Sequence, residues 1–251
     1  MSYDYSFFAQ TLGFSPKENS TDIFAKKYAD GYVIEVDFAK DAINYGEKIQ
    51  FDSKTTQNFS QPENFVVLEC VNRLLEKGYK PENIILEKTW KLGHQEKGRL
   101  DILVTKDDGT AYLMIECKTY GEEFDKELKN LHKNGGQLFS YFQQDKNAEI
   151  LMLYASELRN NKIEKTNVVI QIKEEYRQTG NLKQLFETWN NQTLSSDFWN
   201  FIPYNLSEVE SFTKNNLREL NETEGQSLFN KFATILRKHS VSDKPNAFNK
   251  I

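Results

Sequence analysis

The sequence predicts an α/β fold, a mixed β-sheet with helices packed on its faces, and three observations lead there. A helical apolar period starts at Gln61-Pro62-Glu63. Two apolar runs, Leu100 to Val104 and Tyr112 to Ile115, flank the turn-forming stretch Asp107-Asp108-Gly109-Thr110. Two further helical stretches and another apolar strand follow. The order helix, strand, hairpin, helix, strand is that of a mixed sheet with helices on its faces.

In chain order, residues 1 to 30 mix aromatics with Lys and Asn and support at most a short helix. Tyr32 to Phe38, bracketed by Gly31 and Gly46, reads as a strand, and Asp52 to Asn58 reads as a loop. Pro62 and Glu63 suit the first turn of a helix that runs to Lys77 and ends at Gly78. Its stripe is Val67, Cys70, Val71, Leu74 and Leu75. One step of four back from Val67 places Glu63 on the inward edge, whereas Glu69 falls with Asn72, Arg73 and Glu76 on the expected solvent face. Asn83 to Trp90 is the strand before the hairpin. Lys91 to Arg99 reads as a polar loop that brings Lys97 and Arg99 next to Asp101, either as a solvated loop or as a basic patch facing phosphates.

The hairpin carries ionisable groups at the ends of strands that are apolar on both faces, a pattern of central strands. A two-residue type I′ loop at Asp108-Gly109 would set Asp101 directly opposite Glu116, with Lys118 on the face of Glu116. Opposed carboxylates repel, so a compensating cation is expected, and Mg²⁺ (or Mn²⁺) is the hard cation that one or two carboxylates hold. Lys118 would neutralise developing phosphate charge or orient an attacking water. Glu63 is then either a partner of the helix dipole or a third acid near the metal. Beyond Lys118, Glu122 to Lys133 forms a charged helix broken by Asn134-Gly135-Gly136. A second helix carries Gln137, Leu138, Tyr141 and Phe142. Glu149 to Ser156 is a strand, and Val168 to Ile172 is one more.

From Glu174 the composition turns polar and helical, with helices expected over Leu206 to Leu220 and Glu224 to His239. The sequence stops at Ile251 without a helix-stop signal, which suggests an excised fragment. The expected division is a domain of residues 1–175 followed by a helical connector of residues 176–251. With 32 Lys and Arg against 37 Asp and Glu, the net charge of −5 gives no global basic field, so a nucleic-acid partner needs a local patch. Cys70 and Cys117 sit in apolar segments with no C-x-x-C pair, as core thiols of a reducing compartment do. No signal sequence or membrane span is seen, and the chain reads as cytoplasmic. His94, His132 and His239 have no zinc-ligand spacing. Gly93 and Gly98 have P-loop spacing, but Arg99-Leu100 follows where Lys-Ser/Thr is needed.

Glu63, Asp101, Glu116-Cys117-Lys118 and Gln137-Leu138-x-x-Tyr141 together resemble the PD-(D/E)xK nuclease superfamily, in particular the nuclease domain of type I and type IIG restriction-modification enzymes. The resemblance covers roughly residues 60 to 156. Leu100 stands where that family has Pro. The resemblance implies a restriction-endonuclease-like fold and a prokaryotic, Mg²⁺-dependent DNA endonuclease domain. Asp101, Glu116 and the Cys117 carbonyl would be the metal ligands and Lys118 the support of the water. Glu63, or less favourably Glu69, would be the helix acid, with Gln137 and Tyr141 auxiliary. Lys97, Arg99 and Tyr141 would contact DNA. Residues 206 to 251 resemble the start of the helical region that precedes the methyltransferase in type IIG and type I proteins. The implied partners are double-stranded DNA, methyltransferase and specificity domains in the same or a partner chain, and a second copy during double-strand cleavage. Asn200 to Tyr204 only superficially matches a methyltransferase motif. The rival readings are a catalytically silent scaffold of the same fold and a nuclease for RNA or branched DNA.

Overall fold

The computed structural model describes residues 5–18, 20–92 and 96–178. The expected helices over 206–220 and 224–239, and most of the connector, lie outside the described residues. A short helix α1 (Tyr5–Thr11) leads into four short strands, β1 (Ser15–Pro16), β2 (Ile23–Lys27), β3 (Val33–Asp37) and β4 (Ala42–Asn44), which form an antiparallel sheet in sequence order. Of these strands, the sequence pattern predicts β3 alone.

The main sheet has six strands. Strand β5 (Gln50–Phe51) precedes helix α2 (Pro62–Glu76); then come β6 (Ile84–Leu92), β7 (Glu96–Thr105) and β8 (Ala111–Thr119). Helices α3 (Glu122–Asn134) and α4 (Gly136–Gln144) lead to β9 (Ile150–Arg159), β10 (Lys162–Gln171) and a last short helix α5 (Glu174–Gln178). The spatial order is β10-β9-β8-β7-β6-β5, with β8 parallel to β9, β5 parallel to β6, and the other neighbours antiparallel. This is the mixed sheet the sequence predicts. Two expectations are corrected. The polar loop over 91–99 is largely strand, with Lys91 paired to Lys97 and Leu92 to Glu96. The last strand starts at Lys162 rather than Val168, because its outer half pairs along β9 without needing an apolar pattern at the sheet edge.

The sheet is covered on both faces. Ile84, Leu86, Ile102, Ile115, Met152 and Tyr154 pack with Val67, Cys70, Val71 and Leu74 of α2 and with Ile34 and Val36 of the first sheet. Leu103, Met114, Leu151 and Leu153 pack against Phe124 and Leu131 of α3 and Leu138, Phe139 and Phe142 of α4 on the other face. Every residue of β8 from Ala111 to Cys117 is therefore buried. Helix α2 lies between the two sheets, so it is buried almost all round and not along a single stripe.

The hairpin reaches the expected frame by a different route. Gly109 donates its N–H to Lys106 and Lys106 donates to Thr110, so three residues, Asp107 to Gly109, make the connection, with Gly109 left-handed at φ 82°. Thr105 faces Ala111 but Val104 faces Leu113, which leaves Tyr112 as an extra residue in a bulge. The longer loop and the bulge cancel. Ile102 faces Ile115 and Leu103 faces Met114, the frame that a two-residue turn would have set.

Candidate active site

The ladder between β7 and β8 stops at Ile102, one residue before Asp101 and Glu116 would face each other. The Asp101 carboxylate instead accepts the backbone N–H of Cys117 at 2.7 Å. In a strand the N–H and C=O of one residue point to the same neighbour, so the Cys117 carbonyl is directed to the Asp101 side. Alternation along β8 puts Glu116 and Lys118 on the face of Met114, the face covered by α3 and α4, and Cys117 in the opposite core.

Lys118 is the centre of the cluster. Its Nζ lies 2.6 Å from Glu116 Oε1 and 3.3 Å from Glu63 Oε1. Glu63 comes from the first turn of α2, where Pro62 opens the helix, and its side chain is partly exposed while those of Lys118 and Glu116 are largely hidden. Glu116 Oε2 is buried with no hydrogen-bond partner. Such an orphaned anionic oxygen is costly unless something positive meets it.

The electrostatics follow from that crowding. Burial pushes the Asp101 carboxyl up to about 7, against the pull of Lys118 and the Cys117 N–H, and Glu63 and Glu87 add to the rise. Burial, then Asp101, then Glu63 push Glu116 well above the carboxylate range, although Lys118 opposes them. Burial alone would lower Lys118, but Glu116, Asp101 and Glu63 hold it above its ordinary value. Two buried carboxyls this close raise each other, and Lys118 is the positive charge that offsets them.

The donor set suits a hard divalent cation. Glu116 Oε2 is unsatisfied, Asp101 is beside it, and the Cys117 carbonyl side of the strand faces the same place. Among the described residues no group of three His, Cys, Asp or Glu side chains forms a metal cage. One or two carboxylates with backbone and solvent oxygens are what Mg²⁺ takes.

Helix α4 adds the rest. Its first residue Gly136 is left-handed at φ 53°, and a Cβ there would sit 2.5 Å from Glu127 Oε1. That same oxygen accepts the N–H of Gln137 at 2.8 Å. Gln137 Nε2 donates to Tyr141 Oη at 3.3 Å, and Tyr141 donates to the Arg99 carbonyl at 2.7 Å while its ring stacks on Trp90. Tyr141 is thus a buried strut between α4 and β7, and its phenol is raised by burial and by Glu116 and Asp101. Arg99 and Gln137 line a polar cavity of about 580 Å³ with Asp52, Ser53, Thr89, Gly98 and Tyr141. The Lys97 side chain lies outside the described residues.

Glu69 is a correction. It is 3% exposed rather than on a solvent face, and it accepts a hydrogen bond from Tyr154 Oη at 2.6 Å. Periodicity misplaced it because β9 and β10 of the main sheet reach that helix face, with Tyr154 and Ser156 as its hydrogen-bond partners and Lys165 nearby. It sits away from Lys118, so the helix acid of the cluster is Glu63. Glu87, at 1% exposure, had no role in the sequence reading; its only sequence signal is an acid inside the apolar run Ile84 to Trp90.

A mixed, helix-covered sheet with acids at the open end of its central hairpin is a restriction-endonuclease-like fold. Residues 62–153 match the family described as type I restriction enzyme R protein N terminus. The match covers α2, β6 to β8, α3, α4 and the start of β9, and it supports a restriction enzyme nuclease domain. No curated protein matches the chain. No helix among the described residues is long and apolar enough to cross a membrane.

Proposed function

We propose that this chain is a Mg²⁺-dependent DNA endonuclease domain. The observation that carries the reading is Lys118 joined to Glu116 and Glu63 beside Asp101, with Glu116 Oε2 left without a partner. Asp101, Glu116 and the Cys117 carbonyl would hold Mg²⁺ or Mn²⁺. When bound, the cation would supply Lewis acidity at the phosphodiester and acidify the attacking water. Lys118 positions that water and offsets the charge gathering on the phosphate oxygens. Glu63 helps fix the Lys118 ammonium, Gln137 and Tyr141 hold α4 against β7, and Arg99 meets the DNA backbone, with Lys97 as a further contact.

The R-protein description of the matched family favours the type I system over type IIG. Methylation and sequence recognition then reside in partner chains, DNA is the substrate, and the single such cluster among the described residues makes double-strand cleavage the work of two copies. The test is plasmid cleavage by the full chain with Mg²⁺ or Mn²⁺. Asp101→Ala and Lys118→Ala should each lose about 100-fold or more in rate; wild-type cleavage by either variant removes this site. A silent scaffold predicts no Mn²⁺ binding dependent on Asp101 and Glu116. Better competition by RNA or branched DNA than by duplex would reassign the substrate.

A further inference from the structure

Where Asp101 leaves the ladder, the strand on its other side is interrupted too. Leu86 faces Ile102 and Lys88 faces Leu100, but between them Glu87 and Asp101 are unpaired. The interruption reverses the sheet locally: Leu100 and Ile102, two residues apart, pack into opposite cores. Glu87 sits at φ 57°, a left-handed conformation that Glu rarely adopts inside a strand and that persists only where surrounding contacts enforce it.

Those contacts are specific. The Glu87 side chain is 2% exposed; its Oε2 accepts the Thr55 hydroxyl at 2.5 Å and pairs with Arg99 Nε at 3.0 Å. Arg99 is half exposed and lines the polar cavity beside Gln137 and Tyr141. Its Nε is taken, and among the described residues no other Arg99 nitrogen is in an ion pair. The other acid of that wall, Asp52, is matched by Lys88 at 3.3 Å and by the Thr89 N–H and hydroxyl. The wall is balanced in charge, so what it offers a ligand is the fixed fork of a guanidinium, which suits a phosphate oxygen pair.

We propose that Glu87 is a positioning residue that clamps Arg99 by its Nε, so that the terminal amino groups hold a non-scissile phosphodiester of the DNA strand in the cavity between β6, β7 and α4. This rests on the nuclease reading of the adjoining cluster and adds to it the device that sets the strand in register.

The experiment uses the full chain and one labelled duplex, with binding read by anisotropy in Ca²⁺ and single-turnover cleavage read in Mg²⁺. Lys118→Ala serves as the reference for the nuclease reading. Arg99→Ala should weaken binding about tenfold and reduce the salt slope by about one. Glu87→Gln should bind within about threefold of wild type, because a lost negative charge offsets lost orientation. It should nonetheless cleave bound DNA about tenfold more slowly, since a displaced phosphate misaligns the reacting one. In the Arg99→Ala background, Glu87→Gln should cost nothing further in rate, as expected of residues acting through one another. Arg99→Lys, which leaves the Glu87 pocket intact and keeps the charge, should reproduce the slow rate with a wild-type salt slope. Wild-type cleavage by Glu87→Gln and Arg99→Lys, or an equal Glu87→Gln loss with and without Arg99, overturns the clamp while wild-type cleavage and the Lys118→Ala loss keep the nuclease reading. Failure of wild type to cleave overturns both.

Discussion

Replacing Lys118 by Met keeps most of the side-chain volume and removes the cation from the middle of three acids. Glu116, whose side chain is 3% exposed, then loses the 2.6 Å contact that satisfies Oε1 while Oε2 already has no partner. Breaking a buried pair by deleting one member costs about 3–5 kcal/mol when the other charge stays. Part of that is recovered because Glu116 takes up a proton instead, as burial and Asp101 already favour. The contact to Glu63 adds little, since Glu63 is 42% exposed and solvent screens it. The net expectation is about 2–3 kcal/mol, a fall in melting temperature of roughly 6 °C in EDTA. A bound divalent cation replaces the missing positive charge, so Mn²⁺ should raise the melting temperature of Lys118→Met by more than that of wild type. At about a hundred times its Kd the cation contributes about 2.7 kcal/mol. Thermal melts with and without Mn²⁺ measure both effects. An unchanged melting temperature in EDTA would show that Lys118 does not hold Glu116, and the absence of any Mn²⁺ shift in both proteins would remove the metal site.

Glu69→Gln tests the buried acid of α2. Burial raises the Glu69 carboxyl above its usual 4.5. The folded state therefore binds the proton more tightly than the unfolded one, and the contribution of Glu69 is most favourable below 4.5 and falls as pH rises through the folded value. Gln keeps an acceptor for Tyr154 and does not titrate, so the stability of Glu69→Gln relative to wild type should grow from pH 4 to pH 8 in thermal melts; a gap that shrinks contradicts the burial argument. Tyr141→Phe removes the hydroxyl that meets the Arg99 carbonyl at 2.7 Å. Leaving that carbonyl unpaired should cost about 1–2 kcal/mol by urea denaturation and slow plasmid cleavage, whereas unchanged values in both would mean that α4 is held by its apolar contacts alone.

Much of the core was legible from residue type and spacing. The Pro62-Glu63 helix start, the apolar runs of β7 and β8 and the turn chemistry between them are local signals, and they sufficed to bring Asp101, Glu116 and Lys118 to one end of a central hairpin. The frame came out right over Ile102 to Val104 although the turn did not, because the bulge at Tyr112 cancels the extra loop residue; the expected Asp101–Glu116 pair is not formed, since the ladder stops at Ile102. The first sheet was harder to read, since β1 and β4 are only two and three residues long and β2, Ile23-Phe24-Ala25-Lys26-Lys27, lacks a clear alternation.

The sequence by itself determined the α/β class, the helix that delivers Glu63 and the hairpin that delivers Asp101, Glu116 and Lys118, because these follow from periodicities within a few residues of each group. Only the tertiary structure decided the environments that give those groups their chemistry. Glu69 is buried because β9 and β10, far along the chain, cover its helix face, and Glu87 is turned inward because the ladder breaks opposite Asp101. Likewise Glu116 keeps an unmatched oxygen because Lys118 reaches its Oε1 and no group among the described residues reaches Oε2. Burial, strain and charge balance are sums over residues far apart in the chain, and no local pattern records them.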